Sequence, residues 1–272
     1  MFNLDFFCPL WGSENIPFES FLQKVKNEGY VGVEMGFPLD EDERNNLVKL
    51  LKKHHLKWIA QHWETIDCDF EMHKLNYEKR LRNLAVTMPI FINSQTGKDY
   101  YSFEQNSKLI AIANQIEIET GIRILHETHR GKFSFAAHVT KNYLTQLPDL
   151  KLCLDISHWC CVAETFLEDQ EEAVDLAIIH THHIHSRVGF TEGPQVMDPR
   201  APENQEIVHT HILWWQQVID SIKLKGGNSL TITPEFGAPP YQQLLPNTQE
   251  PIYNLWDVNV YMMQLLKMKL SL

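Results

Sequence analysis

The sequence predicts an α/β protein in which residues 1–272 form a single (β/α)8 barrel, the TIM barrel. Three observations lead to this fold class. Short apolar or β-branched runs alternate eight times with longer amphipathic runs. Polar residues follow the short runs at a nearly constant interval, and no linker or low-complexity tract divides the chain. A doubly wound open sheet is the alternative, but no G-x-G-x-x-G motif follows the first strand.

Each repeating unit joins a short strand to a longer helix. The predicted strands are, in order, NLDFF, YVGVEMG, LKWIAQHW, PIFINSQ, IRILHE, KLCLDIS, THHIHSR and SLTITPE. The predicted helices are FESFLQKVKNEG, DEDERNNLVKLLKKHH, FEMHKLNYEKRLRNLA, FEQNSKLIAIANQIEIE, AAHVTKNYLTQL, EEAVDLAII, EIVHTHILWWQQVIDSIK and NLWDVNVYMMQLLKMKL. Eight such units in about 250 residues match the size of a TIM barrel, whose active site lies at the C-terminal ends of the strands.

Polar residues stand where these strands end, at intervals of 28, 33, 32, 28, 30 and 50 residues. Only the last interval breaks the period, and the surplus coincides with the Gly/Pro-rich segment 189–203. We expect that segment to be a long loop over the barrel mouth, either a lid that brings Gln195 or Arg200 to the substrate or a homo-oligomer contact. The strand-end residues are Glu34, His62, Gln95, Glu127, Asp155, His185 and Glu235.

Composition and charge favour a small-molecule partner. Lys and Arg number 24 against 35 Asp and Glu, which leaves a net charge of -11 that repels nucleic acid and anionic membranes. No apolar run approaches the length of a membrane span, and the N-terminus carries an acid at Asp5 instead of a basic stretch. Five cysteines without a C-x-x-C pair suggest reduced thiols, and we expect a cytoplasmic protein.

Strand phase brings four of the strand-end residues together. The aliphatic residues Ile124, Leu154, Ile184 and Ile232 occupy the phase opposite to Glu127, Asp155, His185 and Glu235, respectively. Because alternate side chains on a barrel strand face opposite sides, all four polar residues can point inward from strands five to eight.

Three carboxylates in one low-dielectric mouth repel each other unless a cation neutralises them. Carboxylates with one imidazole suit a single Mn²⁺, Mg²⁺ or Co²⁺ ion, and Zn²⁺ is also compatible. A structural polar cluster without a metal is the alternative. His183, one layer below His185, is a candidate hydrogen-bond partner of that ligand.

The segments ILHETHRG, LCLDISHW, HIHSRVG and TITPEFG together resemble the metal-binding strands of the xylose-isomerase-like TIM barrel superfamily of sugar isomerases and epimerases. The likeness covers nearly the whole barrel. It implies metal ligation by a Glu, an Asp, a His and a Glu, which fall on Glu127, Asp155, His185 and Glu235.

The same resemblance implies roles for further residues. It implies that His158 and Arg187 bind substrate. Arg187 follows the metal ligand His185 by only two residues, a shorter sequence spacing than is usual in the family. Phe133 occupies a position where the epimerase branch has a substrate-binding Glu. His62, Gln95 and Trp63 are expected to line the pocket or to form a structural polar rim.

The implied activity is isomerisation or epimerisation of a sugar or sugar phosphate through an enediolate. Glu127 and Glu235 would transfer the proton, and a divalent metal would act as a Lewis acid. One alternative is the apurinic endonuclease branch of the same superfamily, for which Asp198 is suitably placed, but Gln95 and Arg200 stand where further ligands are needed. A barrel that binds a metal and a ligand without catalysis is the other alternative.

Overall fold

A computed structural model describes residues 2–272 and shows a closed barrel of eight parallel strands, in which each strand pairs with its neighbours in chain order and β8 pairs with β1. The predicted fold class is therefore confirmed. The strands are β1 (Asn3–Pro9), β2 (Gly32–Met35), β3 (Lys57–His62), β4 (Ile92–Ser94), β5 (Ile124–Glu127), β6 (Leu152–Leu154), β7 (Thr181–His185) and β8 (Ser229–Thr233).

Helices follow every strand. Within residues 2–272 they are α1 (Phe18–Glu28), α2 (Glu41–Lys53), α3 (Phe70–Ala85), α4 (Phe103–Thr120), α5 (Ala137–Gln146), α6 (Ser157–Ala163), α7 (Glu171–Ile179), α8 (Gln205–Leu224) and α9 (Leu255–Lys269). The prediction of one helix per unit missed α6, a helix of seven residues that starts two residues after Asp155. Its seven residues, SHWCCVA, span only two turns and are too few to show a helical period.

Local sequence signals explain where the longer helices begin. The side chain of Asp40 accepts a hydrogen bond from the backbone N–H of Glu43 at the start of α2. Ser102 and Gln105 form a capping box at the start of α4, and that helix ends at Gly121, whose φ of 72° suits glycine. None of the helices within residues 2–272 is long and apolar enough to cross a membrane.

The apolar core has two parts. The larger part lies between the strands and the helices and contains the residues predicted to face outward from the barrel, namely Ile124, Leu154, Ile184 and Ile232. A smaller cluster of Phe7, Ile59, Phe91, Leu125 and Cys153 fills the barrel interior. Side chains of the same phase further along β5 and β6 therefore point into the barrel above this apolar floor.

Candidate active site at the barrel mouth

Four side chains from consecutive strands meet above the apolar floor. Glu127 and His185 are the last residues of β5 and β7, Asp155 directly follows β6, and Glu235 lies two residues beyond β8. One oxygen or nitrogen atom from each lies within 4.8 Å of the others, and all four residues are buried. The structure thus brings together the four residues predicted from strand phase, and their role as ligands stays a prediction.

The cluster has the donors that a divalent cation needs. Asp155 Oδ2 and His185 Nδ1 are buried and make no hydrogen bond of good geometry within residues 2–272, although each has an oppositely charged group within ion-pair distance. His185 Nδ1 lies 2.8 Å from Glu235 Oε2 and 3.8 Å from Glu127 Oε1. Three carboxylates and one imidazole with unsatisfied atoms turned toward one another fit a metal ion of the predicted kind.

The two glutamates differ in proton affinity. Burial, together with the charges of Glu235 and Asp155, raises the pKa of Glu127 to about 8. Burial opposes ionisation of Glu235 too, but His185 and Arg187 outweigh it and lower the pKa of Glu235 to about 2. Without a metal at neutral pH, Glu127 therefore holds a proton and Glu235 is ionised.

Arg187 is enclosed at the edge of this cluster. Its Nη2 donates to Glu235 and lies 3.3 Å from Asp155 Oδ2. The guanidinium carbon stands 4.6 Å from the ring centre of Tyr241 and 5.6 Å from that of Trp11. Nε and Nη1 are buried without a partner among the described residues, so this side chain has hydrogen bonds to offer a ligand.

His158 lies in the first turn of α6, behind the cavity wall. Its Nε2 is 3.6 Å from Asp155 Oδ2, and its ring centre is 3.9 Å from that of His129. Burial lowers the pKa of His158 well below its usual value, so the ring is neutral. His129, which is not among the predicted site residues, lines the cavity instead. His158 itself does not line the cavity, and its contact with substrate stays a prediction.

The structure corrects the prediction for His62. Its Nδ1 lies 2.9 Å from Ser94 Oγ and its Nε2 lies 2.7 Å from Thr65 Oγ1, so both ring nitrogens are already engaged on the helix side of β3. The interior position belongs to the preceding residue, Gln61, whose Nε2 donates to Glu235 Oε1 at 2.9 Å. Ile59, two residues before Gln61, lies in the interior cluster, and that alternation was the available signal.

Gln95 lies where it was predicted, at the cavity wall. Its Nε2 is 3.3 Å from Glu127 Oε1 and 3.4 Å from Oε2. Each of the two proposed proton-transferring carboxylates therefore has its own glutamine donor. Gln95 serves Glu127 from the β4 side, and Gln61 serves Glu235 from β3.

A cavity of about 520 Å³ opens above the cluster, a size in the range of small-molecule sites. Trp63 lines it as predicted, whereas Trp11 and Tyr241, from the loops after β1 and β8, were not foreseen. A Cβ atom at Gly237 would overlap the ring of Trp11, so glycine there leaves room for this wall. The described lining residues are Leu10, Trp11, Glu14, Met35, Gly36, Gln61, Trp63, Gln95, His129, Arg187, Glu235 and Tyr241.

The loop 189–203 does not line this cavity, which corrects the expectation of a substrate-contacting lid. Gln195 is buried and exchanges hydrogen bonds with the backbone of Gly237, accepting from its N–H at 2.7 Å. Arg200 pairs with Asp198 in the same loop. The loop supports the segment after β8 through Gln195, and its first residue, Gly189, packs against Ser157, which donates to Asp155.

Comparisons with known proteins support this architecture at the level of the fold. No protein-family model and no curated protein sequence matches the chain. Among solved structures, it is similar to 3-keto-D-glucoside 4-epimerase from E. coli, with a TM-score of 0.64 and 11% identity over 98% of this chain and 100% of that one. A putative xylose isomerase from Rhodospirillum rubrum gives a TM-score of 0.63 with 14% identity over 99% and 100% of the two chains.

Endonuclease IV from Thermus thermophilus shares the fold as well, with a TM-score of 0.58 and 12% identity over 97% of this chain and 98% of that one. These matches confirm the resemblance to xylose-isomerase-like barrels as a likeness of fold. Their names cover different reactions, so the shared fold alone does not define the chemistry of this chain.

Proposed function

We propose that this protein is a metal-dependent isomerase or epimerase of a sugar or sugar phosphate. The observation that carries the proposal is the meeting of Glu127, Asp155, His185 and Glu235 at the floor of a cavity with aromatic walls and amide and guanidinium donors. Such a cavity offers apolar faces and hydrogen bonds, the two features by which proteins hold a polyol.

The proposed reaction removes a proton from the carbon next to a carbonyl group and returns it. Glu127, Asp155, His185 and Glu235 would hold the divalent cation, which supplies Lewis-acid stabilisation of the negative charge that develops on the substrate oxygens. Return of the proton on the opposite face gives an epimer, and return to the neighbouring carbon on the same face gives an isomer.

Glu127 and Glu235 are the proposed proton-transferring pair. Environments that push the pKa values of two carboxyl groups apart are typical of acid and base partners, and in the metal-free protein the values of about 8 for Glu127 and about 2 for Glu235 differ widely. The donors Gln95 and Gln61 hold the two carboxylates in place from neighbouring strands.

Arg187 is the proposed donor to the developing oxyanion. Its Nε and Nη1 atoms have no hydrogen-bond partner among the described residues, and its guanidinium group lies over the ring of Tyr241 in the cavity wall. A fixed donor of this kind stabilises charge without reorganisation during the reaction. His158 remains a proposed substrate ligand, positioned behind His129 and next to Asp155.

Hydrogen exchange tests the proposal directly. Metal-loaded protein is incubated in D₂O with a panel of ketoses and ketose phosphates, and we expect deuterium on a carbon adjacent to a carbonyl group. Glu235→Gln should abolish the exchange. Asp198→Asn, on the loop away from the cavity, should exchange like the wild-type protein and serves as the matched control.

The endonuclease alternative is tested in the same preparation with abasic DNA. Asp198, the acid considered for that chemistry, is paired with Arg200, and the strands that precede β5 present Gln61 and Gln95 at the mouth. We therefore expect no cleavage. Cleavage of abasic DNA without any deuterium exchange would replace the proposed function.

A further inference from the structure

A fully enclosed carboxylate lies directly beneath the four-residue cluster. Glu34 is one of the predicted strand-end residues, but the structure places it inside β2, with 1% of its surface exposed. Its side chain crosses the barrel interior and reaches β7 on the opposite side. An acid in such a position needs hydrogen-bond donors, because a buried charge without partners is costly.

Glu34 has four donors. Oε1 accepts from His185 Nε2 at 2.9 Å and from Asn93 Nδ2 at 2.9 Å. Oε2 accepts from Thr233 Oγ1 at 2.5 Å and from His183 Nε2 at 3.2 Å. Both oxygens are saturated, so the carboxylate is held from several strands and has no capacity left for a metal ion.

These contacts determine which ring nitrogen of His185 carries a proton and which one faces the four-residue cluster. Asn93 Nδ2 has two hydrogens, which point to Glu34 Oε1 at 2.9 Å and Glu127 Oε2 at 3.1 Å, so neither is left for His185 Nε2, which lies 3.2 Å away. Glu34 is then the acceptor for His185 Nε2–H. The opposite nitrogen, Nδ1, faces the cluster, 2.8 Å from Glu235 Oε2 and 3.8 Å from Glu127 Oε1.

We propose that Glu34 is a positioning residue that keeps the proton on His185 Nε2 and directs the Nδ1 lone pair at the metal. The inference rests on the proposed function only in that it uses the same metal site. A carboxylate that accepts from the distal nitrogen fixes the tautomer and ring orientation of a ligating histidine, and its loss typically weakens metal binding 10- to 100-fold.

The decisive measurement is nuclear magnetic resonance of protein labelled with ¹⁵N-histidine and loaded with ¹¹³Cd²⁺. We expect a one-bond coupling from cadmium to Nδ1 of His185, with its Nε2 still protonated. Coupling to Nε2 would overturn the proposal. The measurement uses no substrate, so a protein that shows the Nδ1 coupling but no deuterium exchange would keep this inference while the proposed function fails.

Variants of Glu34 provide a second test, in which Zn²⁺ affinity is measured by competition against a chromophoric chelator. Glu34→Leu removes the acceptor and should weaken binding about 10- to 100-fold. Glu34→Gln keeps a carbonyl acceptor, so it should retain the Nδ1 coupling and lose less affinity. Thr231→Val is the matched control, because Thr231 contacts the far nitrogen of His183 at 2.7 Å and does not bond to Glu34.

Equal Zn²⁺ affinity in the wild-type and Glu34→Leu proteins would contradict the proposal. Thermal unfolding of each variant shows whether the barrel is intact. If Glu34→Leu does not fold, the coupling in the wild-type and Glu34→Gln proteins decides, since a general structural role of Glu34 would not select Nδ1 over Nε2. Failure of the wild-type protein to bind Cd²⁺ or Zn²⁺ at all would remove both this inference and the proposed metal site.

Discussion

The two halves of the barrel mouth, β5 to β8 and β2 to β3, differ in how well their site residues are predicted from the sequence. On β5 to β8, the four polar residues selected by phase all meet in one cluster. On β2 and β3, the selected residues do not join it: Glu34 lies one layer below and His62 faces the helices. A strand-end polar residue is therefore informative only when its neighbours show which side of the strand is apolar.

The reason lies in what each half packs against. Ile124, Leu154, Ile184 and Ile232 mark the apolar outward side of β5 to β8, although His126 on β5 and His182 on β7 also face outward. On β3 the outward side is itself partly polar, because Ser94 and Thr65 offer hydroxyl groups to His62 under the ring of Tyr77. Groups on either side of this strand end could hydrogen-bond to the His62 ring, and contacts between residues distant in sequence decide which side it faces.

The largest expected effect is the loss of metal binding when cluster residues on β5 and β6 are replaced. Replacing both Glu127 and Asp155 with Ala should abolish stoichiometric metal binding, because two of the three carboxylates are lost. Elemental analysis of the purified protein after dialysis measures this, with Asp198→Asn as the control. Unchanged metal content would show that the four-residue cluster is not the metal site.

Arg187 should separate catalysis from metal binding. Arg187→Met removes the donor proposed for the developing oxyanion, which should lower kcat/KM about 100-fold. Metal affinity should be retained or increased, since the guanidinium no longer neutralises Asp155 and Glu235. Chelator competition and exchange kinetics on one preparation test both parts, and a parallel loss of metal would assign Arg187 a role in building the site.

Metal affinity should rise with pH. Burial raises the pKa of Glu127 to about 8, so below that value a proton competes with the metal for this carboxylate. The apparent association constant should increase about ten- to a hundredfold per pH unit between pH 6 and 8, because His185 must also lose a proton. Although burial opposes the charged form of His185, the surrounding carboxylates hold its pKa well above its usual value. The Glu127→Gln variant should lose this contribution, and a flat profile in the wild-type protein would contradict the assignment.

Two variants of neighbouring β3 residues, Gln61→Leu and His62→Leu, test which side chain of this strand belongs to the site. Gln61→Leu removes the donor to Glu235 and should lower kcat about tenfold, a loss of roughly 1.4 kcal/mol. His62→Leu should leave kinetics unchanged and reduce the free energy of unfolding by about 1–3 kcal/mol, because Ser94 and Thr65 lose a buried partner. Chemical denaturation and exchange rates measure the two effects, and the reverse pattern would restore His62 to the site.

The smallest effect is expected in the loop 189–203. Arg200→Ala breaks an ion pair with Asp198 whose members are both partly exposed, and such pairs contribute about 0–1 kcal/mol. Because the loop does not line the cavity, KM should not change. An increase in KM of several-fold would show that the loop reaches the substrate in a state that differs from this structure.

The sequence by itself determined the eightfold alternation of strands and helices and the inward phase of Glu127, Asp155, His185 and Glu235. Both properties are periodic and local, since each depends on side chains within a few residues of one another. Even the bounds of α3 (Phe70–Ala85) and α7 (Glu171–Ile179) coincide with the predicted runs.

Only the tertiary structure decided which loops complete the mouth and how the ligands are held. Trp11 and Tyr241 come from opposite ends of the chain and meet with their ring centres 5.2 Å apart, because β1 pairs with β8 when the barrel closes. Glu34 bonds to His185 across 151 positions of sequence. Such contacts follow from closure of the sheet and leave no local pattern, so neither the aromatic wall nor the support beneath the cluster could be predicted from the sequence.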